Sequence, residues 1–218
     1  MGHTKYRWST VGLVAFLMAG LLAWPSVGLA QLGGLLPPTS STTTGVTGDA
    51  AAVRATVLGA LGALSTTTSL SDTGTLSGST VAREASQTTG SIPSLLGAEV
   101  LHAATIGWPD QVASEASLAN LNLTVAGISI SADSVLARAS QVSGAAGTGS
   151  TTISNLSING TPIPITGSPN QTVPIPGGQV VINQQTISST GTAVVNALHV
   201  TVPGAVDVVI ASATAGIA

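Results

Sequence analysis

The stretch Ala113-Ser114-Glu115-Ala116-Ser117-Leu118-Ala119-Asn120-Leu121-Asn122-Leu123-Thr124-Val125 and the stretch Ile128-Ser129-Ile130-Ser131-Ala132-Asp133-Ser134-Val135-Leu136-Ala137-Arg138-Ala139 decide the reading of this chain. In the first, Ala119, Leu121, Leu123 and Val125 alternate with Asn120, Asn122 and Thr124; in the second, Ile128, Ile130 and Ala132 alternate with Ser129, Ser131 and Asp133. A period of two puts each set on its own side of an extended strand, so both stretches predict strands with one apolar face. Just upstream, the same period predicts a strand in which Ala98, Val100, His102, Ala104 and Ile106 share one face.

Working outward, Leu156-Ser157-Ile158-Asn159-Gly160-Thr161-Pro162-Ile163-Pro164-Ile165 reads as a hairpin, because Asn159-Gly160 supplies the two left-handed residues of a type I′ turn. Pro162 and Pro164 lack the N–H that a ladder needs, and their spacing puts both gaps on one side, so this strand is expected at a sheet edge. Further strands are expected at residues 179–187, 192–202 and 205–212. Val194, Asn196, Leu198 and Val200 oppose Ala193, Val195, Ala197, His199 and Thr201, and two largely apolar faces mark a central strand. Val53, Val57, Leu61 and Leu64 recur at helical spacing after Asp49, a possible helix cap, but Gly59 and Gly62 weaken a helix, so a strand is preferred over residues 51–58. Nine or ten short strands separated by turn residues predict an all-β fold, an antiparallel β-sandwich in preference to a barrel or a β-solenoid. The core must be thin, since Ala, Val, Leu and Ile have to fill it.

The first thirty residues read as a signal peptide. Lys5 and Arg7 precede the apolar run 11–24, Pro25 ends that run, and Gly28 and Ala30 sit where signal peptidase accepts small side chains, which places cleavage between Ala30 and Gln31. The run is near the lower limit for a membrane span, so cleavage is preferred over an uncleaved anchor. Residues 31–48, with Pro37-Pro38 and a Ser/Thr tract, read as a flexible leader, and residues 49–218 as a single β-sandwich domain.

Composition narrows the function. Only 6% of residues are charged and there is no cysteine, which excludes a disulfide framework, a thiol nucleophile and a Cys-ligated metal. Without residues 1–30, Arg54, Arg83 and Arg138 face eight acids, a net charge of −5, so a nucleic-acid partner is not expected. Trp108 is then the last aromatic residue, too few for the stacking platform on which carbohydrate and single-stranded nucleic-acid sites commonly rely.

Ser154-Asn-Leu-Ser-Ile-Asn-Gly-Thr-Pro-Ile163, then Gly167-Ser-Pro-Asn-Gln-Thr-Val-Pro-Ile-Pro-Gly177, Val180-Val-Ile-Asn-Gln-Gln185, Val195-Asn-Ala-Leu-His-Val200 and Asp207-Val-Val-Ile-Ala-Ser-Ala213 occur in one order. This series resembles the choice-of-anchor P family of secreted bacterial proteins, most strongly from about residue 111 to the end. Gln184 stands where an acidic residue often follows the matching Asn in that family. The resemblance implies an exported domain that different members join to different sorting signals, with no reaction attached to it. No sorting motif is read after Ala213, so release or non-covalent surface retention is the expectation.

Chemical candidates are few. Asp72-Thr73-Gly74 matches the core of aspartic proteases but occurs once, behind Ser71, so a turn is the preferred reading. His102 and His199 are the candidate pair for a metal or acid/base site with Glu99, Glu115 or Asp207, against the plainer reading of structural histidines. Asn120, Asn122, Asn196 and His199 are alternatively expected in a buried network that fixes register. The Asn-x-Ser/Thr triplets at Asn122, Asn155, Asn159 and Asn170 are attributed to chance, and Thr42 to Thr44 and Thr66 to Thr68 to linker or turn contexts. With no nucleophile elbow, phosphate loop or zinc motif, the chain is expected to be no enzyme and to need no cofactor. The leading expectation is a secreted, extracellular, non-catalytic β domain with a structural or interaction role: its uncharged surface packs against cell-wall polymer, matrix or copies of itself, and the mature chain has no membrane span. The alternative is a secreted hydrolase with a site near His102 and His199.

Overall fold

The computed structural model describes residues 45–58 and 65–217. Ala30, Gln31, the signal peptide, most of the leader, Thr42 to Thr44, and Leu61 and Leu64 lie outside them. In chain order the strands are β1 (Val46–Leu58), β2 (Ser65–Asp72), β3 (Ala82–Ile92), β4 (Leu96–Gly107), β5 (Gln111–Val125), β6 (Ile128–Val142) and β7 (Thr148–Ser154). There follow β8 (Ser157–Ile158), β9 (Thr161–Pro162), β10 (Gln171–Ile175), β11 (Gly178–Ile187), β12 (Ala193–Val202) and β13 (Val206–Ile217). Among the described residues there is no helix, and every pair of strands is antiparallel.

Two sheets face each other without closing into a barrel. The first has the order β10-β11-β12-β13-β1-β2; the second has β3-β4-β5-β6-β8-β9, with β7 also paired to β6. The fold is therefore a β-sandwich built as a meander, in which the first and last strands lie side by side through eleven paired residues from Val46↔Ile217 to Val57↔Val206. Strand β1 begins at Val46, so residues 46–48 belong to the sheet and not to the leader, and β13 runs five residues past the end expected at Ser212. Thr66 to Thr68 lie in β2, an edge strand, and not in a turn. The Asn159-Gly160 turn is as the sequence predicts, with both residues at positive φ, Ser157 paired with Pro162 and β9 at an edge, but β9 ends at Pro162, so Pro164 lies beyond the strand expected to hold it.

Side-chain alternation breaks once in each of the long paired strands, and the breaks line up. In the first sheet the paired ladder skips Asn183, Ala197, Ala211, Ala52 and Ser71 on β11, β12, β13, β1 and β2. At each of them two successive residues face the core, as with Ala197-Leu198, Ile210-Ala211 and Ala52-Val53, all buried. In the second sheet the β3–β4 ladder skips Thr88 and Val100, the β5–β6 ladder skips Asn120 and Asp133, Asn155 follows the last β6–β7 pair, and the β4–β5 register shifts on either side of Glu99 as in a bulge; here two successive residues face out, as with Glu99-Val100 and Asn120 after the partly exposed Ala119. Asn183, Ala211, Ser71, Val100, Asn120 and Asn155 carry the positive φ values, between 46° and 53°, that turn the strand over.

These breaks correct two face assignments. Ala98 is buried, but beyond Val100 the buried residues are Leu101, Ala103 and Thr105, so Val100, His102, Ala104 and Ile106 face outward. On β5 the core takes Val112, Ala116 and Leu118 before the break and Leu121, Leu123 and Val125 after it, which leaves Ala119 outside the core set. The apolar character of both parities of β12 has the same cause: Val195 and Ala197 face in before the break, Leu198 and Val200 after it.

The layers touch through small side chains. A Cβ on Gly149 of β7 would strike Val195 of β12, so the two sheets approach closely there. Buried hydroxyls and amides clasp the sheets: Ser114 donates to the carbonyl of Thr214 at 2.6 Å, and Gln141 accepts from the Ile217 N–H at 2.8 Å while donating to the Thr190 carbonyl at 3.1 Å. Among the described residues no buried side-chain nitrogen or oxygen lacks a partner. An unpaired one would cost about 1–3 kcal/mol.

Val100 is the exposed β-branched residue in this left-handed set. A β-branched side chain is disfavoured at positive φ, whereas Asn tolerates it. Val100→Asn is expected to raise unfolding stability in urea by roughly 0.5–1 kcal/mol. A loss of stability would contradict the assigned backbone conformation.

Candidate functional site

Three groups of polar side chains stand on the outer faces. On the first sheet, Arg54 of β1 lies between two acids. Its Nε and one Nη donate to Asp72 at 3.1 and 3.2 Å, and the same Nη pairs with Asp49 on its own strand. Asp49 is thus an ion-pair partner within β1 and caps no helix. Asp72 also accepts the Gly74 N–H at 2.9 Å, a side-chain turn over Thr73, but the backbone does not make the reversal that the sequence predicts there: it runs on beside β1, with Thr73 N–H on the Ala50 carbonyl and Leu76 N–H on that of Gly48. Burial disfavours both charges, but the hydrogen bonds outweigh it: Asp72 is held below its ordinary pKa by Arg54 and Gly74, and Arg54 is raised by Asp72 and Asp49.

The second group spans β11, β12 and β13. His199 Nδ1 lies 3.0 Å from Gln184 Oε1, which also accepts from Asn196 Nδ2 at 2.8 Å. His199 Nε2 lies 3.1 Å from Asp207 Oδ2 and 3.3 Å from Thr201 Oγ1. Both ring nitrogens are engaged, and the hydroxyl and the carboxylate share one nitrogen. A base that activates a hydroxyl needs the carboxylate on its other nitrogen, so this is not the geometry of a catalytic triad. It fastens three strands together. The expected register-fixing network is present here, although half-buried, while Asn120 and Asn122 are exposed and bond to Glu99 and to the Asn120 carbonyl.

The third group is on the outer face of the second sheet, where register sets the neighbours. Glu84, Ala104, Glu115, Arg138 and Ser150 form one cross-strand row from β3 to β7, and Ala82, Ile106, Ala113, Ser140 and Thr148 form the next. Arg138 Nε donates to Glu115 Oε2 at 2.6 Å, and His102 Nδ1 lies 3.6 Å from Glu84 Oε1. Because Ala104 and Ala113 are short, the face is hollowed into an open trough of about 650 Å³. His102, Glu115, Arg138, Ser140, Thr148 and Ser150 rise along it.

His102 and His199 do not converge. They point away from the core on different sheets, and His102 meets Glu84 and not Glu99, so no site contains both. Among the described residues no three His, Asp or Glu side chains are placed to hold a metal ion. Sequence reading missed the Arg54 cluster and the Glu115–Arg138 pair. The signal for the second was present: once β5 and β6 are joined by a tight turn at Ala126-Gly127, Glu115 and Arg138 fall opposite each other.

The lowered pKa of Asp72 fixes a sign for pH dependence. Its contribution to stability is present above the unfolded value, near about 3.9, and is lost as the pH falls below it toward the folded value. Urea midpoints followed downward from pH 6 are therefore expected to fall more steeply below pH 4 for the wild type than for Asp72→Asn. Parallel profiles would show that the Arg54 cluster adds no charge-dependent stability.

Comparison with family models, curated proteins and solved structures gives no significant match to this chain.

Proposed function

We propose that this protein is an exported, non-catalytic interaction domain of the cell exterior, in keeping with the resemblance of residues 111–218 to the choice-of-anchor P family. The observation that carries the reading is the state of the reactive side chains. The two histidines stand on different sheets, each beside a carboxylate of its own sheet, and Asp72 is held by Arg54 and by the Gly74 N–H. Neither His199 nor Asp72 is left in a position to attack or to take a proton from a bound substrate, and His102, 3.6 Å from Glu84, stands on the open trough with no second acid or base joined to it by a hydrogen bond.

The surface supports the same reading. Ser, Thr, Asn and Gln dominate the outward positions of β2, β3, β7 and β10, and few ionic groups oppose contact with a neutral polymer or with another copy. A rigid sandwich holds such faces flat. Core strands of 15 residues, β5 and β6, each paired on both sides, hold those faces in place.

Two measurements on the full chain test the proposal: co-sedimentation with insoluble wall polymers, and size-exclusion chromatography across a wide concentration range. Retention on a polymer or concentration-dependent assembly is expected. A monodisperse monomer that binds no polymer would overturn it.

A further inference from the structure

We propose that the trough on the outer face of the second sheet binds a neutral saccharide segment, with Trp108 as its stacking face and the Glu115–Arg138 pair as its polar reader. The proposal rests on the interaction reading above and deepens it to one place and one ligand chemistry.

The placement follows from register. His102, Ala104, Ile106 and Trp108 alternate along the outer side of β4 and its turn. Trp108 exchanges backbone hydrogen bonds with Gln111, which in turn pairs with Val142, so a third row, Trp108, Gln111 and Val142, continues the two rows of the trough. Trp108 is 41% exposed and Val142 47%. An indole left this open, one row beyond the residues that line the hollow, offers an apolar ring face that the core does not use. From His102 to Trp108 the face is roughly 20 Å long, and from β4 to β7 about 14 Å wide, room for more than one sugar ring. The volume falls within the ordinary range of small-ligand sites.

The chemistry follows from the pair. Glu115 takes the Nε hydrogen of Arg138 on one oxygen, which leaves its other oxygen and the two Nη groups of Arg138 outside that bond. A carboxylate beside a guanidinium presents acceptors next to donors. Neighbouring hydroxyls on a sugar present donors next to acceptors, so the two patterns match. Ser140, Thr148 and Ser150 extend this hydroxyl-compatible lining. Charge selects against the alternatives: Arg138 is neutralised by Glu115, and Glu84 adds a negative charge, so an anionic ligand gains nothing here. A single Trp cannot form a run of stacking platforms, and this arrangement asks for one ring only.

The test uses the full chain with cellulose, chitin and peptidoglycan sacculi as solid probes and the N-acetylglucosamine and glucose hexamers as soluble competitors. Retention on at least one polymer, displaced by a hexamer, is expected. Trp108→Ala and Arg138→Ala should each weaken it by about tenfold, with Trp108→Phe close to wild type and circular dichroism unchanged. If the polymer is bound equally by wild type and both Ala variants, the saccharide site is overturned and the interaction reading stands. If no polymer is bound but the chain assembles with concentration, the site again falls and interaction with other copies remains. If it neither binds nor assembles, both fall.

Discussion

Two antiparallel strands that keep their register cannot change face one at a time. Residues opposite each other in a ladder point to the same side, so when a left-handed residue turns one strand over, its partner must turn at the matching position, and so must the next. The breaks at Asn183, Ala197, Ala211, Ala52 and Ser71 are one line for this reason, as are those at Asn120, Asp133 and Asn155, while the break at Val100 joins the second line through a bulge where the β4–β5 register shifts around Glu99. On the first sheet the line presents paired apolar residues to the core, and on the second it presents paired residues to solvent. The polarity of every position beyond the lines depends on them.

The outer faces inherit that arrangement. Beyond Val100, His102, Ala104 and Ile106 are turned outward, which makes alanines the floor of a trough and not part of the core. Beyond Ala197, His199 is turned outward beside Gln184 and Asp207, while Leu198 and Val200 fill the interior. With each sheet turning its own histidine away from the core, the two cannot cooperate. The fold presents a pair of broad faces, one fastened by an imidazole network and by Arg54 between two acids, the other hollowed along small residues. That division of labour fits an interaction domain.

Much of the fold was legible in the residues, and the rest was hidden by the same lines. The alternation in Ile128, Ile130 and Ala132 and the Asn159-Gly160 turn act within a few residues of chain, so period and turn chemistry were enough to place them. The face of β4 was misread because period two was carried straight through Val100, and a β-branched residue gives no local sign of a left-handed backbone. Asn120, Asn155 and Asn183 did carry such a sign, since Asn adopts that conformation most readily, yet only their alignment across strands reveals its purpose. Of the candidate site residues, His199 meets Asp207, one of the three acids named for the two histidines, while His102 meets none of them. Glu115 and Arg138 are twenty-three positions apart and meet only through the β5–β6 register, and Arg54 meets Asp72 only because β2 returns beside β1. Long-range partners of this kind are set by topology, which period alone does not reveal.

The absence of cysteine from the chain allows the central claim to be read directly. Single cysteines placed in turn at positions 98 to 103 and tested for thiol reactivity in the folded protein report which way each side chain points. The account predicts protection at 98, 101 and 103 and reactivity at 99, 100 and 102. Protection at 100 with reactivity at 101 would mean that β4 alternates without a break, and the face assignments across the second sheet would be wrong.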